Sequence, residues 1–240
     1  MPILETVGLA KTFSGASADA GDVAAVRGID LAVGAGEFVA VTGPSGCGKS
    51  TLLHLLGGIT RPSAGRVLLE GVDLATLDDD ALAAVRRRRI GFVFQRYNLL
   101  PELSLLENVA LPLVLDGRGD GESDEAARGA LEAVGLAGRA GHRPDALSGG
   151  EQQRGAIARA LVTSPAVVLA DEPTGALDSG NSRAVVELLR RLVDDRGQTV
   201  VLVTHDPAIA AAASRQVRMR DGVIEADSGP VPAAAGSGRR

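Results

Sequence analysis

Aromatic side chains are scarce in this sequence, which has no tryptophan, one tyrosine and four phenylalanines among 240 residues. Proteins that coat nucleic acids stack bases on aromatic side chains and carry an excess of positive charge. This chain has neither feature, since its formal net charge is −5. The composition therefore predicts that nucleic acid is not a partner.

Cysteine and long apolar runs are also lacking. The single cysteine, Cys47, excludes an internal disulfide. No apolar run approaches the roughly 18 residues needed to span a bilayer. The first five residues lack the basic and apolar segments of a secretion signal. We expect a cytoplasmic chain that is held at the inner face of the cell membrane only through a partner.

Lysine is nearly absent, and the position of one lysine is informative. Of 25 basic residues, only Lys11 and Lys49 are lysine. Lys49 stands in a glycine-rich segment between an apolar run at 38–41 and a leucine-rich run at 52–56. Strand, glycine loop and helix form the context in which a G-x-x-x-x-G-K-[ST] segment binds phosphate. The segment consists of Gly43, Pro44, Ser45, Gly46, Cys47, Gly48, Lys49, Ser50 and Thr51.

This phosphate loop predicts a nucleotide ligand. Its glycines let several backbone N–H groups turn toward one point, and the helix beginning at Lys49 adds the positive end of its dipole. Lys49 would reach the β- and γ-phosphates, and the Ser50 hydroxyl would ligate Mg²⁺. We interpret Cys47 as a small side chain that fills space rather than as a nucleophile.

Alternating strand and helix patterns predict an α/β fold with a mostly parallel sheet. Two patterns before the phosphate loop, at 3–9 and 26–33, look like an antiparallel pair. The middle third, about 96–163, has helical patterns and few strand signals, so we expect an inserted helical subdomain. Buried strands are expected at 90–94, 166–170 and 199–203, and terminal strands at 215–219 and 223–226.

Three local expectations concern helix ends. An acidic, glycine-containing segment at 117–124 predicts a flexible turn, with the next helix beginning at Glu125. Ser179 is a good N-cap for a later helix. The four arginines at 86–89 are typical of a solvated helix C-terminus, where positive charge matches the dipole.

A second helix start has anion-binding features. Ser148 is a good N-cap, and Gly149 and Gly150 expose backbone N–H groups before a helix expected from Glu151. An ordinary capped helix would explain this segment if it stood alone. With the phosphate loop, however, one chain has two phosphate-binding helix starts. A symmetric dimer accounts for both if the loop of one copy faces Ser148 of the other. We therefore expect a homodimer that forms in the presence of ATP.

Over about residues 3–226, the sequence resembles the nucleotide-binding subunit of an ATP-binding-cassette (ABC) transporter. The resemblance implies a P-loop NTPase core of the RecA-like type, an N-terminal antiparallel β subdomain and an inserted α-helical subdomain. Gly175 stands where serine is common in the family, and Phe13 where tyrosine is more usual. Six motifs occur in the family's order: Walker A at 43–51, the Q-loop glutamine Gln95, the signature at 147–154, Walker B at 167–172, the D-loop at 176–178 and the switch histidine His205.

The resemblance implies a role for each motif residue. Asp171 would hold Mg²⁺ through water, and Glu172 would orient or deprotonate the attacking water. His205 would hydrogen-bond the γ-phosphate. Gln95 would contact the metal and join the core to the helical insert. Lys49 completes the set of catalytic candidates.

The other motif residues would contact nucleotide or the partner copy. Phe13 falls where the family places an aromatic ring under the adenine, although packing in the core is an equal alternative. The family's signature contacts the ATP of the partner subunit; its residues here are Ser148, Gly149, Gly150 and Glu151. Asp178 belongs to the D-loop.

These features predict an ATPase that drives a separate membrane permease. Segments 77–101 and 169–179 are similar to those of the macrolide-exporter and lipoprotein-release group, which implies an export or lipoprotein-release system. The family places the permease dock on the apolar stretch 99–115. Two alternatives stay open: a permease that transmits force or a signal without moving a solute, and a soluble ABC ATPase outside transport.

We expect a single ABC ATPase domain over residues 1–227. Its core would comprise about 1–95 and 164–227, and its helical subdomain about 96–163. The remaining residues, 228–240, are rich in Pro, Ala, Gly and Ser. This composition predicts a disordered tail.

Overall fold

The computed structural model describes residues 1–14 and 21–229. The tail expected at 228–240 therefore lies almost wholly outside the described residues. The described strands are β1 (Leu4–Phe13), β2 (Val23–Val33), β3 (Phe38–Thr42), β4 (Ala64–Leu69), β5 (Val72–Asp73), β6 (Ile90–Val93), β7 (Val167–Asp171), β8 (Thr199–Val203), β9 (Arg215–Arg220) and β10 (Val223–Asp227). The helices are α1 (Lys49–Leu56), α2 (Asp79–Arg89), α3 (Leu105–Leu115), α4 (Asp120–Ala133), α5 (Gly149–Leu161), α6 (Ser179–Arg196) and α7 (Pro207–Ala210).

Two sheets build the fold, as the sequence predicted. The first has the order β2-β1-β4-β5 and is antiparallel. The second has the order β10-β9-β3-β8-β7-β6 and is parallel except for the terminal β9–β10 pair. Helices α3, α4 and α5 all fall between β6 and β7 in the chain. The α/β fold class is therefore confirmed.

Apolar residues on both faces of the parallel sheet form two cores. One core joins alternate residues of β3, β7 and β8 to α1 and the antiparallel sheet. The other joins the opposite residues of these strands to α3, α4, α5 and α6. Because both faces are covered, β7 and β8 are apolar along nearly their whole length instead of alternating.

Strand register brings the predicted site residues to one edge. Val41 pairs with Val203, and Asp171 also pairs with Val203, so β3, β8 and β7 end at the same level. The phosphate loop follows β3, Glu172 follows β7 and His205 follows β8 shortly after its end. The carboxyl edge of a parallel sheet is where α/β proteins bind ligands.

Two expectations about helix ends were wrong. Helix α4 begins at Asp120, five residues before the expected start, because Ser123, Ala127 and Leu131 are buried on one face. The acidic residues of the expected turn instead lie at the positive end of its dipole. Helix α6 is capped by Asp178 rather than Ser179, since the Asp178 carboxylate accepts from the N–H groups of residues 180 and 181.

The arginines at 86–89 end helix α2 but are not simply solvated. Arg86 donates to the carbonyl oxygen of Gly58, and Arg87 and Arg88 both bind Asp116 at the end of α3. Arg89 forms a two-bond pair with Glu70. The run therefore ties α2 to three other parts of the chain. In the described part of the chain, none of the helices has the length and apolar character needed to cross a membrane.

Candidate active site

The phosphate loop owes its shape to glycines. Gly43 and Gly48 have φ angles of 148° and 101°, which side-chain-bearing residues rarely adopt. A Cβ atom on Gly48 would also overlap the carbonyl oxygen of Ala25, and one on Gly43 would overlap that of Met219. The loop can therefore lie against its neighbouring strands and lead directly into α1.

Lys49 is the buried positive charge of this loop. Its side chain lies in a residue that is 7% exposed, and its Nζ donates to the carbonyl oxygens of Gly43 and Pro44, each at 2.9 Å. Among the described residues it has no carboxylate partner within salt-bridge distance. A buried cation is costly unless an anion neutralises it. The arrangement therefore favours an anionic ligand at this point.

Ser50 and Asp171 meet beside the loop. The Ser50 hydroxyl donates to Asp171 Oδ1 at 2.9 Å. Burial raises the pKa of Asp171 above its usual value, and the Ser50 hydrogen bond opposes that rise. Gln95 lines the same cleft as Ser50, and Asp171 is reached through the Ser50 hydrogen bond, so the available donors are hydroxyl, carboxylate and amide oxygens. Magnesium prefers such oxygen ligands, and it usually keeps several waters and binds phosphates as well. The residues present therefore fit Mg²⁺.

Glu172 has an unusual backbone and a defined partner. Its φ angle of 46° lies in the left-handed region, which is uncommon for a residue other than glycine. Its N–H donates to the Val203 carbonyl oxygen, which fixes this conformation. His205 Nδ1 lies 2.8 Å from Glu172 Oε1. A carboxylate oxygen and a ring nitrogen at this distance form a hydrogen bond. Strained backbone held in place by neighbours is typical of functional sites.

One cleft of about 390 Å³ is lined by Lys49, Ser50, Gln95, Glu172 and His205, whereas Asp171 is not among its lining residues. Its lining includes Ala25, Ser45, Gly46, Gly48, Lys49, Ser50, Thr51, Gln95, Glu172 and His205. The catalytic candidates named from the sequence are therefore together. Neither Phe13, Ser148 nor Asp178 is among the lining residues. Phe13 is 44% exposed, so the core-packing alternative for it is wrong, and Lys11 Nζ lies 5.1 Å from its ring centre.

The signature segment forms a rigid helix tip away from that cleft. The N–H and hydroxyl of Ser148 both donate to Glu151, and the N–H of Glu151 donates back to the Ser148 hydroxyl. This reciprocal pair is a capping box. Hydrogen bonds from Ser148, with a further one from Arg139, lower the pKa of Glu151 to about 2. Glu151 therefore stays ionised and holds Ser148 in place.

Close packing is a second reason for glycine in the signature, besides the N–H groups that the sequence analysis named. A Cβ atom on Gly150 would overlap the side-chain oxygen of Asn181 in α6, and one on Gly149 would lie 2.8 Å from the Tyr97 hydroxyl. Asn181 Nδ2 in turn donates to Asp178 at 2.6 Å, and hydrogen bonds from Asn181 lower the pKa of Asp178. The D-loop and signature tip are thus in contact through one side chain.

Sequence reasoning missed several residues that support the site. Arg139, Asn181 and Arg159 hold the signature, the D-loop and the segment after Gln95 respectively. No local pattern marks Arg139 and Arg159, because each binds residues distant in sequence, whereas Asn181 binds Asp178 three residues away. Gly175 was noted only as a departure from the family, but a Cβ atom there would lie 2.6 Å from the Gln95 amide nitrogen. A serine at 175 would require Gln95 to move.

A phosphate loop, a parallel sheet and two carboxylates at the end of β7, separated from the phosphate-loop strand β3 by β8, define a P-loop NTPase. Residues 26–175 match the ABC transporter family. The chain is a member of the ABC transporter family, and it is an ATP-binding ATPase cassette of that family.

Curated relatives and solved structures agree with this membership. The chain is 51% identical over 208 residues to the macrolide export ATP-binding/permease protein MacB of Chromobacterium violaceum, covering 87% of this chain and 32% of that protein. It is 51% identical over 214 residues to MacB of Hyphomonas neptunium, covering 89% and 33%. The chain thus spans about a third of the length of these relatives. Among solved structures, the chain matches a dimeric structure of the ATP-binding cassette MJ0796 in a post-hydrolysis state bound to ADP and Pi. The TM-score is 0.84 and the sequence identity is 41%, and the match covers 93% of this chain and 97% of that one.

Proposed function

We propose that this chain is the ATP-hydrolysing subunit of an export or lipoprotein-release transporter. Two copies would pair head to tail, hold two ATP molecules between them and drive separate membrane permease subunits. This would place the chain in the cytoplasm, on the inner face of the membrane. The relatives' name, ATP-binding/permease, supports a permease as the partner.

The observation that carries the proposal is the buried ammonium of Lys49, which has no carboxylate partner among the described residues and lines the same cleft as Glu172. The loop would bind the ATP phosphates through its N–H groups and Lys49. Glu172 would orient the attacking water and accept its proton. His205, 2.8 Å from Glu172, would position that carboxylate and reach the γ-phosphate.

Magnesium would be held by Ser50, Gln95 and Asp171. Ser50 and Gln95 would contact the ion directly, and Asp171 would hold it through water. When bound, Mg²⁺ would neutralise charge on the transferring phosphate oxygens. Ser50 Oγ and Asp171 Oδ1 are already 2.9 Å apart, so these two groups lie side by side.

The separation of the signature tip from the phosphate loop supports head-to-tail pairing. The signature tip of Ser148, Gly149, Gly150 and Glu151 does not line the cleft of its own chain. It would complete the site of the partner copy, with Asp178 between them and Phe13 under the adenine. A dimeric structure of MJ0796, described as a bacterial ABC transporter cassette, matches this chain with a TM-score of 0.84 and supports the pairing.

We further propose that residues 1–95 and 164–227 form the core of one domain, with 96–163 as its helical subdomain. Gln95 begins the connection between them. Contacts of Gln95 with nucleotide would move the helical subdomain against the permease, which would dock on the stretch 99–115. Its α3 portion lines an apolar groove beside β6.

A Glu172→Gln variant tests this proposal. We expect turnover to fall roughly 10²- to 10⁴-fold, as for loss of a positioned acid–base group, while binding of Mg-ATP is kept. Light scattering should show the mass of a dimer with ATP and of a monomer without it. Glu187→Gln, an exposed change on α6, should leave both readouts as in the unmutated chain. Normal turnover in Glu172→Gln, or a dimer mass independent of ATP, would contradict the proposal.

A further inference from the structure

The two-residue turn between β9 and β10, formed by Asp221 and Gly222, lies against the phosphate loop. The Gly222 N–H donates to the Cys47 carbonyl oxygen at 3.1 Å. The first glycine of the loop, Gly43, lies so close to β9 that a Cβ atom on it would overlap the Met219 carbonyl oxygen. The β9–β10 hairpin therefore contacts the loop at its start and in its middle, although loop and hairpin are far apart in the sequence.

The hydrogen bond from Gly222 fixes the orientation of the peptide bond between Cys47 and Gly48. This peptide bond is trans, so its C=O and N–H groups point in opposite directions. Because the Cys47 C=O points to the turn, the Gly48 N–H points away from it. Gly48 lines the cleft beside Lys49, and its N–H has no hydrogen-bond partner among the described residues. That N–H is therefore available to a phosphate oxygen.

Glycine at position 222 lets the turn approach the loop without moving a neighbour. Gly222 has a φ angle of 81°, and its carbonyl oxygen accepts from the Arg27 N–H of β2 at 2.8 Å. A Cβ atom on Gly222 would lie 3.0 Å from the Ala25 carbonyl oxygen, and a Cβ atom on Gly48 would overlap the same oxygen. A side chain at 222 would therefore lengthen the hydrogen bond to Cys47 or push Ala25 toward Gly48.

We propose that Gly222 is a positioning residue for nucleotide binding, which acts through Cys47 to direct the Gly48 N–H toward bound phosphate. Gly222 does not line the cleft, so it acts only through the loop. The inference rests on the proposed function, because it requires the phosphate loop to hold the ATP phosphates. It adds a role in nucleotide affinity for the β9–β10 hairpin, which contains none of the six family motifs.

A second turn of the same shape provides a matched control. Glu70 and Gly71 join β4 to β5 with φ angles of 50° and 81°, and Asp221 and Gly222 have φ angles of 49° and 81°. Both turns connect antiparallel strands. A Cβ atom on Gly71, however, would have no heavy atom within 4 Å. One substitution therefore strains the backbone similarly in both turns but presses on a neighbour only at 222.

Gly222→Asn and Gly71→Asn make this comparison, since asparagine tolerates a left-handed backbone better than most side chains. Isothermal titration calorimetry would measure the Kd of Mg-ADP, which binds without being hydrolysed. Gly222→Asn should weaken binding about tenfold, as for loss of one hydrogen bond to a charged group. Gly71→Asn should bind as the unmutated chain does. In ATP hydrolysis, the KM of Gly222→Asn should rise by a similar factor, with kcat within about twofold, because the loop holds phosphate before and during the reaction.

The outcomes separate this inference from the proposed function. If the unmutated chain does not bind Mg-ADP, the phosphate site itself is wrong. If it binds but Gly222→Asn binds equally well, or Gly71→Asn weakens binding as much, the positioning role of Gly222 is wrong. A lower kcat with an unchanged Kd would also contradict it. Circular dichroism melting would check that both variants fold. Gly222→Ala and Gly71→Ala, which add the Cβ atom alone, give the same comparison if an asparagine variant is unfolded.

Discussion

Glu151 holds the N-terminal tip of α5 through hydrogen bonds with Ser148. Its carboxylate accepts from the Ser148 N–H at 2.9 Å, from the Ser148 hydroxyl at 2.8 Å and from Arg139 Nε at 2.9 Å. These bonds hold the Ser148 side chain in one place, so little side-chain freedom is lost when a ligand binds. The ionised state of Glu151 therefore matters for the geometry of the signature.

This pairing predicts a specific dependence of stability on pH. The pKa of Glu151 falls from 4.5 to about 2 in the folded chain, mainly through hydrogen bonds from Ser148. Its stabilisation is therefore present above pH 4.5 and is lost as the pH falls toward 2. The difference in melting temperature between the unmutated chain and Glu151→Gln should be constant at neutral pH and shrink through this window. The exposed change Glu125→Gln should give no such trend. A Glu151→Gln difference that does not vary with pH would disprove the pairing.

The sequence predicted best those site residues that belong to one continuous segment. Lys49 and Ser50 follow from one loop pattern, and Asp171 with Glu172 from the end of one strand. The left-handed backbone of Glu172 and the roles of Arg139 and Asn181 could not be predicted from such patterns. They depend on contacts between segments that only the folded chain brings together.

At the scale of elements, β6 and α5 approach closely because residue 91 is glycine. A Cβ atom on Gly91 would overlap the carbonyl oxygen of Ala160, which is backbone and cannot rotate away. Val93 ends β6 just before Gln95, so this contact also sets where Gln95 leaves the sheet. The spacing of the strand and helix thus affects the site directly.

Two alanine substitutions test this packing. Gly91→Ala should destabilise the fold by about 1–3 kcal/mol, as for overpacking of a core contact. Gly129→Ala lies inside α4 with no heavy atom within 4 Å of the added Cβ. It should stabilise the chain by up to about 1 kcal/mol through helix propensity. Urea denaturation would give both values, and equal effects of the two changes would argue against the close approach.

Helix existence was easier to predict from sequence than helix ends. Asp178 and Ser179 are both good N-caps, so the pattern could not decide between them. In α4, burial of Ser123, Ala127 and Leu131 extends the helix into a segment whose composition favours a turn. Packing against other helices outweighed local propensity there.

At the scale of the whole molecule, the cleft is built on the parallel sheet, and the signature tip is built on the helices between β6 and β7. The carboxyl edge of the sheet supports the cleft with Lys49 and Glu172. The helices between β6 and β7 carry the signature tip and one wall of the apolar groove beside β6. Asp116 at the end of α3 binds Arg87 and Arg88, which links that helical part to α2. The fold class was predictable because strand and helix patterns alternate, whereas these links between distant helices were not.

Mixing two inactive variants tests most directly whether each site is shared between copies. Lys49→Ala removes the loop cation, and Ser148→Arg blocks the signature tip. Each variant alone should hydrolyse almost no ATP. In an equal mixture, half of the dimers join unlike chains, and each of these has one complete site of two. The account predicts recovery to about a quarter of the unmutated rate for head-to-tail pairing. A mixture no more active than its separate components, or a fully active Ser148→Arg chain, would contradict it.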